Sequence, residues 1–230
     1  MNSDFRKIPI AVIGLGLMGG SFAKRLKELG HPVIGLNRTE SVAKEALAMG
    51  IVDSIDPKDL KKAEIVIFCT PERGTLSFIK EHLPLIHEKA VLTDIAGVKN
   101  GFAGEIKALL PEGMDFVSGH PMCGREGAGL AQADGSIFDG ANYVLIPEPW
   151  NRKEHLELVK RMAEDISAKR REASEKLSAE ICEVLRFLNM PNVTLTFDVR
   201  PDKITINGMD EEEILISANA GEEPKPLNKT

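Results

Sequence analysis

The sequence predicts an α/β fold built on a doubly wound parallel sheet, followed by a long helix and a small antiparallel β meander. Short apolar strands alternate with helical patterns from residue 8 to about residue 147, which is typical of a parallel sheet covered by helices on both faces. Beyond residue 150 the apolar positions recur first at helical spacing and then at every second residue. A helical segment should therefore precede a region of strands.

The strands expected in the parallel sheet are short apolar runs. They are Ile8–Ile13, Pro32–Leu36, Ile51–Val52, Glu64–Cys69, Ala90–Thr93, Phe116–Ser118 and Tyr143–Ile146. The first of these strands is followed by an amphipathic helix pattern, with Phe22, Leu26 and Leu29 on one face and Gly30 at its end. Together these elements predict a domain over residues 1–150.

The composition changes after Trp150. Asn151 and Glu154 resemble a helix-capping pair, and apolar residues then recur at mostly helical spacing as far as Leu188. We therefore expect one long helix, or two in tandem, within a helical connector over residues 151–190.

The last part of the chain has a strand pattern. Alternate apolar residues share one face at Val193, Leu195, Phe197 and Val199. The runs Ile204–Ile206 and Ile214–Ser217 flank Asn207-Gly208, a hairpin turn signal. A small meander is predicted over residues 191–220. Residues 221–230 lack periodicity and are expected to be disordered.

Composition limits the classes of partner. The 230 residues include 43% hydrophobic and 28% charged residues, enough for one full domain and a smaller one. A net charge of -6 and a pI near 5.5 argue against nucleic acid or an anionic membrane as a partner of the whole surface. A small molecule is the expected partner.

Cysteine usage and hydropathy indicate the compartment. The three cysteines, Cys69, Cys123 and Cys182, are far apart and form no CxxC pair, so neither a disulfide framework nor a metal site is predicted. No apolar run approaches the roughly 20 residues that span a bilayer. We expect a cytoplasmic protein without a membrane segment.

A glycine motif follows the first strand directly. Gly14 allows a tight turn, Gly16 lets the backbone approach a pyrophosphate, and Gly19 lets the helix pack closely on the sheet. Leu17 and Met18 lie between them, at the amide-rich start of the helix that would face the phosphates. An ordinary glycine-rich loop is the alternative. The strand before the motif and the helix after it favour a Rossmann-type dinucleotide site formed by these five residues.

The end of the second strand bears on which dinucleotide is bound. Asn37, Arg38 and Thr39 occupy the position, about 20 residues after Gly16, where NAD-specific enzymes usually carry an acidic residue. A guanidinium and a hydroxyl there suit a 2'-phosphate. The sequence therefore favours NADP, with NAD as the alternative. Arg38 could instead be a solvated residue at the start of a helix.

Two further loops follow strands that we expect to lie beside the first one. Thr70 and Pro71 end the strand at Cys69, and Asp94 and Lys99 belong to the loop after Thr93. Ligands of open α/β sheets bind at the carboxyl ends of the strands. Thr70 and Pro71 are therefore candidates for a wall of a ribose pocket, and Asp94 and Lys99 for orienting ribose or substrate. A turn or capping role is the alternative for each.

His120 stands directly after a strand in a glycine-rich loop. At the sheet edge, where a nicotinamide ring would lie, an imidazole can take the proton released when an alcohol loses hydride. We predict that His120 is catalytic. Arg125 either binds a substrate carboxylate or braces the following helix, and Cys123 is expected to be a packing residue.

These motifs resemble the N-terminal domain of the prephenate/arogenate dehydrogenases over about residues 8–165. The resemblance is carried by GLGLMGGS, the loop DIAGVK from Asp94 to Lys99, GHPM around His120, and the later pairs Ala133-Asp134, Ile137-Phe138 and Asn142-Tyr143. It implies an oxidoreductase of tyrosine and other aromatic amino acid biosynthesis that oxidatively decarboxylates prephenate to 4-hydroxyphenylpyruvate. It also implies that His120 hydrogen-bonds the substrate hydroxyl, and that prephenate or arogenate is the substrate.

The resemblance has two departures. Family members often have a serine in the Asp94–Lys99 loop that contacts the substrate hydroxyl, whereas this chain has Gly97, which we assign with Lys99 and Arg125 to the substrate site. Family members also continue into a helical domain that forms a homodimer and supplies cationic residues, and no such domain is recognisable here. The sequence therefore does not decide whether this chain is active alone.

Residues from about 167 onward resemble instead part of the DNA-repair ATPase RecN. The similar stretches are Leu188–Pro191 and the run from Ile214 to Leu227. No GxxxxGK[ST] motif is present, so a P-loop ATPase is not predicted. The sequence thus reads as a fusion. The alternatives to a dehydrogenase are a RecN-like DNA-repair fragment and a dinucleotide-binding protein without catalysis.

Overall fold

The computed structural model describes residues 7–99, 101–167, 181–187, 193–205, 208–217 and 225–226. The chain divides into two compact units, Met1–Ile166 and Ser167–Thr230. The predicted boundaries at residues 150, 190 and 220 stay predictions.

The first unit is organised around a six-stranded sheet. Its strands are β1 (Ile10–Ile13), β2 (Val33–Leu36), β3 (Ile65–Phe68), β4 (Val91–Asp94), β5 (Asp115–Pro121) and β6 (Tyr143–Ile146). Their order is β2-β1-β3-β4-β5-β6, and β1 to β5 are parallel. The predicted Rossmann-type α/β fold is confirmed.

Helices cover both faces of this sheet. The α-helices are α1 (Leu17–Glu28), α2 (Glu40–Ala48), α3 (Glu72–His82), α4 (Phe102–Leu109) and α5 (Lys153–Ser167). Short 3-10 helices are formed by Pro57–Lys62, Leu83–Leu85, Leu130–Gln132 and Gly135–Phe138.

The two faces of the sheet bury separate apolar cores. On one face, Val12 and Ile67 pack with residues of α1 and α5, including Phe22 and Met162. On the other, alternate strand residues pack with Ile79 of α3 and with Ile106 of α4. All four residues of β1, β2, β3 and β4 are buried. This explains why these strands are continuous apolar runs rather than alternating ones.

The last strand of the sheet differs from the prediction of an all-parallel sheet. β6 is antiparallel to β5, with Pro121 opposite Tyr143 and Ser118 opposite Ile146. A parallel neighbour needs a crossover that returns the chain to the other end of the sheet. The connection from β5 contains only two short 3-10 helices, and β6 starts at the end where β5 finishes.

The predicted strand Ile51–Val52 is not formed. Both residues are buried against the apolar core, and a single bridge joins Ser54 to Ile34 instead. The two apolar residues indicate burial and not a strand, because two buried residues in a turn are as hydrophobic as a short strand.

The helix after Trp150 begins at Lys153, but Asn151 does not cap it through Glu154. The Asn151 side chain accepts a hydrogen bond from the Glu148 amide and donates to Asp115 and to the Phe116 carbonyl. Asp115 and Phe116 are distant from Asn151 in the sequence, so the pattern of spacing could not identify these partners. Helix α5 ends at Ser167, residues 181–187 are helical, and residues 168–180 and 188–192 lie outside the described part.

The second unit contains an antiparallel sheet of three strands. They are β7 (Thr194–Thr205), β8 (Gly208–Ser217) and β9 (Lys225–Pro226), in the order β7-β8-β9. The predicted separate strand at residue 204 is instead part of β7, whose register shifts between Pro201 and Thr205. Thr205 pairs with Gly208, while residues 206–207 of the predicted turn lie outside the described part. The prediction of disorder over residues 221–230 was wrong at Lys225–Pro226, because these two residues pair with β8.

Within the described ranges, no helix is long and apolar enough to cross a membrane. The same part of the chain contains no group of three or more His, Cys, Asp or Glu residues arranged to hold a metal ion.

Candidate active site

The sequence-predicted site residues lie at the carboxyl ends of β1 to β5 or in the segments that follow them. β3 pairs directly with β1, as expected. β4 does not, because β3 lies between β4 and β1. The loop of Asp94 therefore starts one strand further from the glycine motif than predicted, next to β5 and His120.

Steric limits explain two glycines of the motif. Gly14 has a φ of 95°, and a Cβ there would lie 2.6 Å from Thr70 Cγ2 and 2.8 Å from the Cys69 carbonyl oxygen. A Cβ at Gly19 would overlap the carbonyl oxygen of Gly14. These two positions thus require glycine to turn the chain and to seat α1 against the end of β3.

Gly16 has a different environment. A Cβ there would meet no atom within 4 Å, and Gly16 is exposed at the N-cap of α1. The helix start has no side-chain cap and no acidic residue in its first turn. Its amides, including those of Leu17 and Met18, therefore face open space with the positive end of the helix dipole uncompensated.

Asn37 holds the glycine loop in place. Its Oδ1 accepts a hydrogen bond of 3.0 Å from the Leu15 amide, and its Nδ2 donates to the Thr39 carbonyl at 3.1 Å. Arg38 and Thr39 are exposed. Among the described residues, Arg38 forms no ion pair, so its guanidinium is available to a ligand.

Thr70 and Pro71 join β3 to α3. The Thr70 and Thr75 hydroxyls are hydrogen-bonded at 2.8 Å, and Pro71 is the N-cap residue of α3. Thr70 also contacts the glycine loop through its methyl group, as the short distance to a Cβ at Gly14 indicates. Thr70 therefore borders the glycine loop.

His120 lies within β5, so its predicted place in a loop directly after the strand was wrong: pairing with β6 extends β5 to Pro121. The His120 ring has a defined hydrogen bond. Its Nδ1 lies 2.7 Å from the Ile95 carbonyl oxygen, and the ring is half-buried. A carbonyl only accepts, so this contact places the proton of the neutral ring on Nδ1 and leaves the Nε2 lone pair free. A Cβ at Gly97 would lie 3.4 Å from Cε1 and 3.8 Å from Nε2 of this ring. The structure therefore brings Gly97 and His120 together.

Asp94 and Lys99 form a buried ion pair that contacts the backbone of Gly119. Lys99 Nζ donates to Asp94 Oδ1 at 2.7 Å, to Asp94 Oδ2 at 2.5 Å and to the Gly119 carbonyl at 2.9 Å. Burial lowers the pKa of Lys99 from its usual value, opposed by the charges of Asp94 and Glu72. The sequence indicated both residues but not their pairing.

Arg125 and Cys123 lie in the loop beyond His120. Arg125 Nη1 forms an exposed 3.2 Å ion pair with Asp134, whose side chain caps the 3-10 helix Gly135–Phe138. The role of Arg125 toward a substrate stays a prediction. Desolvation raises the pKa of Cys123 to about 11, which leaves its thiol protonated at neutral pH.

Tyr143 was not predicted as a site residue. It lies in β6 opposite Pro121, the residue after His120. A Cβ at Gly119 would lie 2.6 Å from Tyr143 Cε1, so Gly119 is needed for the ring to pack there. Burial raises the pKa of the Tyr143 phenol. The sequence signals were the strand pattern of residues 143–146 and the pair Asn142-Tyr143 in the family resemblance.

The glycine loop, the uncapped start of α1 and the parallel sheet define a dinucleotide-binding domain of the Rossmann class, with a histidine at the carboxyl edge of the sheet. The chain belongs to the family described as "Prephenate dehydrogenase, nucleotide-binding domain", whose model matches residues 22–172. This confirms the resemblance of the N-terminal part of the sequence.

Two relatives illustrate the similarity in sequence. Prephenate dehydrogenase of Bacillus subtilis is 34% identical over 172 residues, which are 70% of this chain and 45% of the relative. Arogenate dehydrogenase 1 of Arabidopsis thaliana is 27% identical over 128 residues, 54% of this chain and 20% of the relative. The chain thus spans less than half the length of these relatives.

Solved structures are similar over the same region. Synechocystis arogenate dehydrogenase is 32% identical with a TM-score of 0.64, over 69% of this chain and 57% of that one. Aquifex aeolicus prephenate dehydrogenase, in complex with hydroxyphenyl propionate and NAD+, is 28% identical with a TM-score of 0.64, over 71% and 59% of the two chains.

Proposed function

We propose that this chain binds a nicotinamide dinucleotide, with NADP preferred over NAD, and supplies the proton acceptor for the oxidation of prephenate or arogenate. The observation that carries the proposal is the free Nε2 of His120, fixed by the 2.7 Å contact of Nδ1 with the Ile95 carbonyl. Membership of the family supplies the reaction class.

The glycine loop fits the pyrophosphate of a dinucleotide. Gly16 leaves open space where a backbone must be approached closely, and the start of α1 carries no acidic residue that would repel phosphate. We assign Gly14, Gly16, Leu17, Met18 and Gly19 to this contact. Thr70 and Pro71 are the further residues we assign to the cofactor. Asp94, which the sequence also placed there, is buried in its pair with Lys99.

The preference for NADP rests on the end of β2. Arg38 is exposed and unpaired in the described part of the chain, and the nearest acid, Glu40, is paired with Lys44 at 2.7 Å. A guanidinium can hold a 2'-phosphate through two parallel hydrogen bonds. Asn37 and Thr39 flank Arg38 in the sequence and are assigned to the same contact.

His120 holds the reacting hydroxyl and takes its proton at Nε2. The bound nicotinamide would accept the hydride from the ring carbon that carries this hydroxyl. The Ile95 carbonyl stabilises the imidazole when it becomes positively charged, because its oxygen already faces the Nδ1–H. Gly97 and Arg125 are the residues we assign to the substrate side. Lys99, which the sequence also placed there, is held by Asp94 and the Gly119 carbonyl.

The substrate side is open in this chain. Val98, beside Gly97, is 61% exposed, and Met122, two residues after His120, is 50% exposed. Exposed apolar residues beside a reacting group need a cover that excludes water. We propose that a second copy of the chain supplies it in a homodimer, and that the protein acts in the cytoplasm on the route to tyrosine.

Binding and turnover test this function separately. Calorimetric titration with NADP and with NAD measures cofactor binding, and absorbance at the reduced-nicotinamide band measures turnover of prephenate and of arogenate. His120→Asn should keep cofactor affinity and lower the rate by about 10²–10⁴-fold. His82→Asn is the matched control, because its Nδ1 also lies near a backbone carbonyl, that of Phe78, at 3.2 Å.

Each result has one meaning. Failure of the unaltered chain to bind either dinucleotide would refute the proposal. Binding without turnover would make the chain a cofactor-binding domain without catalysis of its own.

For the second unit we propose descent from a RecN-like protein, so that the chain is a fusion. Support comes from the stretches that resemble RecN and from the separate compactness of residues 167–230. Acidic residues such as Glu211–Glu213 oppose phosphate contact. A gel-shift at low salt tests a DNA-binding role, and an unretarded band would eliminate it.

A further inference from the structure

We propose that the Asp94–Lys99 ion pair positions His120, holding its ring in the Nδ1–H tautomer so that Nε2 is free to accept a proton. This inference rests on the proposed role of His120. It gives Asp94 and Lys99 a positioning role in place of direct contact with cofactor or substrate.

The pair is placed to hold the peptide group that precedes His120. The Gly119 amide donates to Asp94 Oδ1 at 3.3 Å, and the Gly119 carbonyl accepts from Lys99 Nζ at 2.9 Å. Both polar groups of residue 119 are therefore bound to one ion pair. The backbone entering His120 is fixed in position by side chains of the neighbouring loop.

The same pair also fixes the group that His120 contacts. Asp94 Oδ2 accepts a 3.0 Å hydrogen bond from the Ala96 amide. This bond closes the turn that contains Ile95, and the Ile95 carbonyl then receives Nδ1–H of His120 at 2.7 Å. The ion pair thus holds the histidine backbone and the acceptor of its ring proton at once.

The geometry of Lys99 argues against a direct substrate contact. An ammonium group has three protons, and three acceptor oxygens surround Lys99 Nζ at 2.5–2.9 Å. The Lys99 side chain is 16% exposed and that of Asp94 1%. Binding a substrate anion would require Lys99 to leave Asp94 uncompensated in a buried position, which is costly.

Charges from other elements do not replace this contact. Glu72 of α3 acts on Lys99, and it adds negative charge beside Asp94. No other lysine or arginine contacts Asp94 in the part of the chain that the structure describes. Loss of Lys99 therefore leaves the Gly119 carbonyl without its donor and the Asp94 carboxylate without its counter-charge.

Nitrogen NMR of the imidazole ring tests the proposal in the free chain, without cofactor or substrate. In the unaltered chain at a pH where the ring is neutral, we expect Nδ1 of His120 to resonate as the protonated nitrogen. A Lys99→Met variant should lose this preference, and Nδ1 should move toward the unprotonated range. A preference for the Nε2–H form in the unaltered chain would overturn the proposal.

A double variant guards against unfolding. Asp94→Asn combined with Lys99→Met leaves neither of the two charges of this buried pair, and the Asn oxygen can still accept from a backbone amide. The proposal expects the same change of His120 tautomer in this variant. An unchanged Nδ1–H form in a folded double variant would show that the pair is structural only. Lys27→Met, which breaks the exposed Lys27–Asp53 pair of 2.6 Å, is the control and should change nothing.

A measurement on the unaltered chain needs no variant. The ammonium protons of Lys99 should exchange slowly with water, because three acceptors hold them. A rapidly exchanging Lys99 ammonium would also overturn the proposal. Because none of these measurements uses a ligand, they remain informative if the chain fails to bind dinucleotide, which is the result that would refute the proposed function.

Discussion

The glycine loop and the segment around His120 are held in place by different interactions. The glycine loop, residues 14–20, is shaped by close contacts of backbone atoms, since a side chain at Gly19 would overlap the Gly14 carbonyl. The histidine segment, residues 118–124, comprises the end of β5 and the residues after it, and depends on a buried ion pair and a carbonyl from the loop after β4. Steric contacts therefore shape the glycine loop, whereas polar contacts between distant residues hold the histidine segment.

The largest effect should come from filling space in the glycine loop. Gly19→Ala places a methyl group against the Gly14 carbonyl and 3.1 Å from Cys69 Cβ. We expect the free energy of unfolding to fall by about 3 kcal/mol, with loss of dinucleotide binding. Chemical denaturation and calorimetric titration measure the two effects.

Gly104→Ala is the matched control. Gly104 is exposed in α4, and a Cβ there would meet no atom within 4 Å. Alanine should raise the free energy of unfolding by up to about 1 kcal/mol. Equal effects of the two substitutions would contradict a steric origin for the glycine loop.

Removal of the polar brace of the glycine loop should have a smaller effect. Asn37→Ala leaves the amide of buried Leu15 without its acceptor. The expected loss is about 1–2 kcal/mol of unfolding free energy, measured by denaturation. Asn37→Asp keeps the acceptor oxygen and should recover much of it. If both variants have the same free energy of unfolding as the unaltered chain, the hydrogen bond of Asn37 to the Leu15 amide contributes nothing to stability.

Cofactor choice provides a prediction of similar size. Arg38→Ala should weaken NADP binding about tenfold, or roughly 1.4 kcal/mol, because a charge-assisted contact with the 2'-phosphate is lost. NAD binding should not change. Titrations of Lys58→Ala, an exposed lysine of the Pro57–Lys62 helix, supply the control. A parallel loss for both dinucleotides would rule out the 2'-phosphate contact.

The smallest effect is expected beside His120. Gly97→Ser adds a Cβ at 3.4 Å from His120 Cε1, an ordinary van der Waals contact at an exposed position. Thermal denaturation should detect a change within about 0.5 kcal/mol. A large loss of stability would mean that the histidine segment is as sterically restricted as the glycine loop, and the contrast between them would disappear.

Local patterns in the sequence were enough to predict most of the first unit. Buried strands appear in the sequence as apolar runs, and the motif around Gly14 predicted the turn between β1 and α1, because turn, strand and helix signals all lie within a few residues of each other. The same local signals failed at Ile51–Val52, where burial in a turn resembles a strand, and at β6, whose direction depends on a connection without a crossover helix.

The sequence by itself determined the class of fold, the family and the residue types at the sheet edge. Only the tertiary structure decided how these residues contact β5: Lys99 with the Gly119 carbonyl, and the Ile95 carbonyl with His120. The reason is physical. Glycine sterics and strand hydrophobicity act over neighbouring residues, whereas hydrogen bonds between residues 20 and 25 positions apart form only once β4 and β5 are adjacent in the sheet.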